Sequence, residues 1–317
     1  MARSRPLRIG TRGSKLARWQ SDWVAARLRE AGAQVDVVEI ATTGDVEQLG
    51  PVAALGTGVF TKEIQAALLA GAVDVAVHSL KDLPTQSTAG VALAATPVRE
   101  VVDDALIGAA GRRLSELPSG SRVGTGSLRR RAQLLCLRPD LAMLEIRGNV
   151  DTRLRKLDAG QYDAIVLAAA GLRRLGLDGR ISELLAPPGM LPAPGQGALG
   201  IECRADDATT AALLAPLDDL ATRWSVSAER ALLAELEGGC SAPVAAWGRV
   251  LEGRLVLDGL VADADGRQAL RASGEALLAV AGRSDADGVA AAAELGRRLA
   301  RELLAQGAAA LMGRTGG

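Results

Sequence analysis

Apolar residues along the chain fall into two spacings. Short runs at 73–77, 164–167, 197–203 and 254–262 have the length and the Val and Ile content of strands. Between and beyond them, apolar residues recur every three or four positions, as in 130–137, 222–237 and 287–305, and predict helices. Strands that alternate with helices predict mostly parallel sheets covered by helices on both faces. In such folds the right-handed crossovers put functional loops at the carboxyl ends of the strands.

The pattern repeats. Arg8-Ile9-Gly10-Thr11-Arg12-Gly13-Ser14 is matched by Arg122-Val123-Gly124-Thr125-Gly126-Ser127, each copy lying between a strand and a helix. Val38-Glu39-Ile40 matches Leu144-Glu145-Ile146, and Leu69-Ala70-Gly71-Ala72-Val73-Asp74 matches Asp158-Ala159-Gly160-Gln161-Tyr162-Asp163. Three landmarks in one order predict duplicated βαβ lobes with a cleft between them. The first copy carries an insert, residues 42–61, with Gly50, Gly56 and Gly58, which reads as a lid-type loop. Pro187-Pro188-Gly189 and Leu191-Pro192-Ala193-Pro194-Gly195 break the chain after the second copy. Beyond about Leu220 come a helix stopped at Gly238-Gly239, strands at 254–262 and 272–280 around an Asp265-Gly266 turn, and a long helix from Asp287. This is a small α+β domain whose two strands and helix need a third element to be stable.

Composition changes the picture in three ways. The 317 residues suffice for two or three domains, and 48% apolar content gives each a core. No run of eighteen apolar residues occurs, and the first ten residues are basic without an apolar core, so a cytoplasmic protein with no membrane partner is expected. Three cysteines (Cys136, Cys203, Cys240) and one histidine (His78) make a disulfide framework or a histidine metal site a poor expectation. Net charge is zero, yet residues 122–155 hold eight arginines against three acids. With 2% aromatics there is little for base stacking, so small anions are expected there rather than nucleic acid.

The candidate chemistry comes from these positions. The two glycine loops allow close backbone approach, and the helix starts behind them offer free N–H groups to an anion. Neither is a P-loop, because no Gly-Lys-Ser/Thr closes it. Arg12, Arg129, Arg130, Arg147, Arg153 and Arg174 stand just after strands or early in the next helix, where guanidinium forks suit carboxylates. Arg131, Arg155 and Arg173 read as solvated helix faces. His78-Ser79-Leu80-Lys81-Asp82-Leu83-Pro84 puts a lysine–aspartate pair at a strand's carboxyl end, where the carboxylate could stabilise a developing cation and a paired lysine would keep it ionised; a helix start with a structural ion pair is the plainer alternative. His78 reads as structural. Cys240, between Gly238-Gly239 and Pro243, reads as an exposed thiol able to act as nucleophile or attachment point, whereas Cys136 and Cys203 read as packing.

Together these motifs resemble the hydroxymethylbilane synthase (porphobilinogen deaminase) family. The resemblance also takes in Gly58-Val59-Phe60-Thr61-Lys62-Glu63, Arg147-Gly148-Asn149-Val150-Asp151-Thr152-Arg153, Ala170-Gly171-Leu172-Arg173-Arg174-Leu175-Gly176, Pro194-Gly195-Gln196-Gly197 and Glu237-Gly238-Gly239-Cys240. It implies an α/β fold of two lobes like type II periplasmic binding proteins, residues 1–97 with 198–216 and residues 98–197, plus a small α+β domain at 217–317. It implies that Cys240 carries a dipyrromethane cofactor through a thioether. It further implies that four porphobilinogens are added with loss of ammonia before hydroxymethylbilane is released. Asp82 would be the catalytic carboxylate. Arg12, Arg129, Arg130, Arg147, Arg153 and Arg174 would hold acetate and propionate groups. Ser14, Ser79, Lys81, Thr125, Ser127 and Asn149 would complete the contacts, and the enzyme would be a monomer. The segment after Cys240 departs from the family pattern, and Thr57 stands where the lid often has lysine. The rivals are a non-enzymatic solute-binding or sensor domain on this fold and a phosphate-handling transferase. The missing signal peptide and the absence of a P-loop weigh against them.

Overall fold

A computed structural model describes residues 5–41, 61–236, 242–277 and 285–313. The expected lid, apart from Thr61, and the thiol of Cys240 lie outside the described residues. The chain divides into two compact units, residues 1–99 with 198–223, and residues 100–197 with 224–317. The first begins with β1 (Leu7–Thr11), α1 (Lys15–Glu30), β2 (Val35–Glu39), α2 (Lys62–Leu69), β3 (Val75–Ser79) and β4 (Val91–Ala95). The second begins with β5 (Asp104–Gly108), β6 (Arg122–Gly124), α3 (Leu128–Leu137), β7 (Ala142–Leu144), α4 (Val150–Asp158), β8 (Ala164–Ala168), α5 (Ala169–Arg174) and β9 (Glu183–Leu185). The chain then returns to the first unit with β10 (Leu199–Arg204) and α6 (Ala208–Leu214).

The two sheets have one design. Their orders are β2-β1-β3-β10-β4 and β7-β6-β8-β5-β9. In each, three parallel strands are followed by an antiparallel fourth. The register aligns the copies residue by residue, because Gly10 faces Ala76 in one sheet and Gly124 faces Ile165 in the other. Apolar residues fill both interiors. Leu7, Ile9, Val75 and Val77 pack with Val24 and Leu28 of α1, and Ile107, Ile165 and Leu167 with Leu154 and Leu157 of α4. These are the two mostly parallel α/β lobes that the alternation predicts.

A shared geometry ties the start of each lobe together. Asp74 accepts hydrogen bonds from the Arg8 backbone N–H (3.0 Å), Nε (3.1 Å) and Nη2 (3.2 Å), while Nη2 also donates to the Gly71 carbonyl at 2.6 Å. In the second lobe Asp163 accepts from the Arg122 backbone N–H (2.7 Å), Nε (3.2 Å) and Nη2 (3.0 Å), and Nη2 donates to Gly160 at 2.9 Å. Gly71 and Gly160 end their helices at φ of +69° and +70°, a conformation that a Cβ disfavours. This is why the sequence repeat includes a glycine three residues before each aspartate.

The C-terminal part of the second unit is built from α7 (Leu220–Glu235), which crosses over from the first unit, then β11 (Val244–Leu251), β12 (Arg254–Ala262), β13 (Ala269–Leu277) and α8 (Asp285–Ala305). The sheet is antiparallel in the order β11-β12-β13, and Leu295, Leu299 and Leu303 of α8 pack on Leu255, Leu257 and Val261. The second hairpin strand starts three residues before the expected 272, since Ala262 pairs with Ala269 across the turn. The third element that the hairpin needs is β11. Pro243 and the small residues before Gly248 hid its alternation. Cys136 corrects the sequence reading. It is exposed, and its thiol donates to the Gly266 carbonyl at 3.1 Å, because the buried side of α3 runs through Arg129, Arg130, Gln133 and Leu134. Arg131 is likewise no plain solvated side chain, since its Nε donates to Ala264 at 3.2 Å. Cys203 is core, and Arg155 is exposed.

The two Arg–Asp staples differ in burial, Asp74 being closed off and Asp163 partly open. Asp74→Ala should cost about 3 kcal/mol in urea unfolding, the scale of a broken buried pair. Asp163→Ala should cost clearly less, and equal losses would contradict the assignment.

Candidate active site

In the first lobe the expected site residues gather at the carboxyl ends of β1 and β3, adjacent strands. Arg12 is half-buried there, and Ser14 caps α1 by accepting from the Ala17 N–H at 3.3 Å. Gln20 of α1 donates to the Ser79 hydroxyl at 2.8 Å, which ties the β1 loop to the β3 loop. Leu80 to Asp82 then form one 3-10 turn. Leu80 is fully buried and its N–H bonds to Ala198, while the Leu83 N–H closes onto Leu80. The backbone of this turn is therefore anchored at its start and closed on itself. Lys81 and Asp82 are half-buried, and the Asp82 carboxylate meets no hydrogen-bond or ion-pair partner among the described residues.

In the second lobe the candidates gather at the corresponding strand ends. Thr125 accepts from the Ser127 N–H (3.2 Å), Ser127 caps α3 by accepting from Arg130 (3.4 Å), and Asn149 caps α4 by accepting from Thr152 (3.1 Å). Two capped helix starts thus point their N–H groups toward the same end of the sheet. Arg147 pairs with Glu145 at 2.6 Å, Arg153 donates to the Gly148 carbonyl at 2.7 Å, and Arg174 to that of Gly197 at 2.7 Å. Burial pulls the Arg174 guanidinium down to about 10, against the opposing charge of Glu100, so it stays cationic at neutral pH.

Arg129 and Arg130 are not the open forks that the sequence suggests. They are 3% and 6% exposed, and both close on Asp104, itself 1% exposed. Arg129 Nη1 and Nη2 donate to the two Asp104 oxygens at 2.7 and 3.2 Å, and Arg130 Nε donates at 2.8 Å. Gln196 Nε2 adds a fourth donor at 2.9 Å. Burial alone would raise the Asp104 pKa, but the two guanidinium groups hold it well below the usual carboxylate range. Two cations thus converge on one buried anion. Arg129 Nε, moreover, is buried with no hydrogen-bond partner among the described residues.

The sequence reading missed two acids. Asp104 opens a fully buried strand, and an acid at the head of such a run was the signal. Glu229 is closed off on α7 and accepts from the Gly195 and Gly248 N–H groups at 2.7 Å each. It thereby joins the Pro194-Gly195-Gln196-Gly197 loop to β11.

Two family models match this chain. Residues 7–212 match porphobilinogen deaminase, dipyromethane cofactor binding domain, and residues 224–305 match porphobilinogen deaminase, C-terminal domain. The chain belongs to the porphobilinogen deaminase family. It is 51% identical over 311 residues to a porphobilinogen deaminase of Acidothermus cellulolyticus, covering 96% of this chain and 91% of that one. It is 50% identical to that of a Roseiflexus species, covering 96% and 97%. Among solved structures it is similar to the methionine-binding protein MetQ, at 14% identity and a TM-score of 0.44, over 67% of this chain and 89% of that one. Membership carries the family activity, polymerisation of porphobilinogen in tetrapyrrole biosynthesis, and the dipyrromethane cofactor. No helix among the described residues is long and apolar enough to cross a membrane. The residues fit such a cofactor. Carboxylate side chains on a dipyrrole suit guanidinium groups and helix N-termini, and the second lobe supplies both.

Asp104→Asn keeps the shape and removes the countercharge of two buried arginines, so a loss of about 3–5 kcal/mol is expected at pH 7. Because folding depresses the Asp104 pKa, its contribution is complete above about pH 4 and is lost as the pH falls below that. Melting curves from pH 7 to 3 should therefore show a steep acid loss in the parent that is shallower in the variant. Parallel curves would contradict the role given to Asp104.

Proposed function

We propose that the chain is a monomeric, cytoplasmic hydroxymethylbilane synthase whose catalytic carboxylate is Asp82 and whose cofactor is attached at Cys240. The observation that carries this reading is the 3-10 turn at the end of β3. It anchors the backbone just before Asp82 and closes it just after, around a carboxylate with no ion-pair partner among the described residues. Functionally, residues 1–97 with 198–216 hold the acid, residues 98–197 hold the anion-binding groups, and residues 217–317 hold the attachment point.

When bound, the dipyrromethane supplies a primer with an unsubstituted pyrrole position. Arg147, Arg153 and Arg174 bind acetate and propionate groups, with Arg12 doing so from the first lobe. Arg129 and Arg130 contribute positive charge from around Asp104, and Arg129 Nε offers a buried donor that meets no hydrogen-bond partner among the described residues. Thr125, Ser127 and Asn149 keep the helix starts of α3 and α4 open toward the anions, as Ser14 does for α1. Ser79 and Lys81 flank the acid. As ammonia leaves porphobilinogen, positive charge develops beside its pyrrole nitrogen, and the fixed Asp82 carboxylate stabilises it without having to move.

Asp82→Asn keeps shape and loses charge, so turnover should fall roughly a thousandfold if the carboxylate supplies about 4 kcal/mol. Asp82→Glu should keep a measurable rate. Ammonia release and bilane formation check both, with folding verified by melting, and a folded Asp82→Asn protein at the parent rate would remove Asp82 from the mechanism.

Attachment is read by intact mass and by the red colour that pyrroles give with an acidic aldehyde reagent. Cys240→Ala should lose the mass of two pyrrole units and the colour, while Cys136→Ala keeps both. A pyrrole adduct mapped to Cys136 or Cys203 would overturn the assignment. A solute-binding protein on the same fold would show neither mass nor colour.

A further inference from the structure

His78 lies one residue before the Ser79-Leu80-Lys81-Asp82 segment and is 5% exposed; Glu202 of β10 is 7% exposed. His78 Nε2 stands 3.2 Å from Glu202 Oε2, a close contact without hydrogen-bond alignment. Gln65 Nε2 of α2 donates to both Glu202 oxygens at 3.0 Å, and the Thr88 hydroxyl donates to Gln65 Oε1 at 3.0 Å. One buried carboxylate thus gathers groups from α2, from β3 and, through Gln65, from the segment before β4.

The second lobe shows that the fold does not require this. Because Gly10–Ala76 corresponds to Gly124–Ile165, His78 corresponds to Leu167. Glu202 faces Ala76 as Ile107 faces Ile165, so Glu202 corresponds to Ile107. Leu167 and Ile107 are both core residues of one apolar cluster. The same sheet therefore closes well with aliphatic side chains at these two places. A buried polar pair there is no gain in stability over them, since desolvation offsets the attraction, and in some proteins such a pair fixes register instead. A second feature points the same way. The pairing of β10 with β4 shifts register between Ile201 and Glu202, and irregularities of this kind re-aim a side chain. The lobes also differ beyond the ends of these strands. After Ser79 the first lobe makes the turn with Asp82, while after Ala168 the second runs straight into α5.

We propose that the buried His78–Glu202 pair, held by Gln65, is a positioning device for the reaction, setting the end of β3 against β10 and so the placement of Ser79, Lys81 and Asp82. The link is short. Ser79 faces Leu199, and the Leu80 N–H bonds to Ala198 just before it, so a slip of β3 against β10 would move the Asp82 turn directly. This rests on the reading of Asp82 as the acid.

The test gives the first lobe the residues of the second. His78→Leu/Glu202→Ile, with Gln65→Leu to remove the amide left unpaired, should yield a folded protein that retains its pyrrole mass and melts no lower than the parent. Its kcat should fall at least about tenfold with KM within about twofold. Amide exchange should quicken at 79–83 and not along β1. Should the triple variant fail to fold, Glu202→Gln decides, since it keeps volume and one acceptor oxygen for Gln65 while removing the charge. A lower kcat at unchanged melting temperature supports the device. A parent-like kcat in whichever variant folds, or a kcat loss that only tracks a falling melting temperature, overturns it. In an Asp82→Asn background the same changes should slow the enzyme no further, because both act through one group. A fully active Asp82→Asn enzyme would instead show that the reading of Asp82 had failed, whatever the pair does.

Discussion

A carboxylate sealed inside an α/β lobe has to be matched by positive charge, and in the second lobe this requirement organises the site. Asp104 heads β5, whose antiparallel course brings it beside the carboxyl ends of β6 and β8. Arg129 and Arg130, in the first turn of α3, meet it there, and Gln196 closes the fourth side. Removing charged groups from water is expensive, so this cluster is stable only when every part is present. Both cations of the cluster converge on this one acid. The glycine loop, the Ser127 cap and the neighbouring start of α4 add partial positive charge of the same sense.

Duplication supplied the frame, and departures from it supply the chemistry. The Arg8–Asp74 and Arg122–Asp163 staples are nearly superposable in their bonding, and both sheets share one strand order. Where they differ, the difference is polar. Asp104 corresponds to Leu199 of the first lobe, as the facing residues Ala168 and Ser79 show. The first lobe in turn holds His78 and Glu202 where the second is aliphatic. Each lobe thus carries one buried acid that its copy lacks, one beside Arg129 and Arg130 and one behind the turn with Asp82.

Much of this was legible in the sequence, for physical reasons. Period and repeat identify strands, helices and lobes, because burial on both faces demands continuous apolar runs. The glycines of the repeat mark helix ends that need positive φ. Less legible were features set by partners distant in the chain. Arg129 and Arg130 read as ligand forks because nothing local reveals Asp104 opposite them. Cys136 reads as core from its apolar neighbours, yet its face of α3 is covered only by a turn 130 residues away. The strand β11 was hidden because small residues carry a weak alternation signal.

Glu229 shows how such distant partners can place a residue that carries chemistry. Its two carboxylate oxygens accept from Gly195, in the loop after the second lobe, and from Gly248, in β11. Both glycines are needed for close approach at these points. Gly248 has the Ser225 carbonyl oxygen 2.6 Å from where a Cβ would be, and Gly195 turns at a φ of +76°. Helix α7 leads into the segment with Cys240 and β11 leads out of it. One buried acid therefore fixes the element before the proposed attachment point, the element after it, and the loop whose next residue, Gln196, bonds to Asp104. The loop that completes the contacts of Asp104 and the two elements that flank the proposed attachment point are in this way held to a common reference, although no single stretch of sequence contains both.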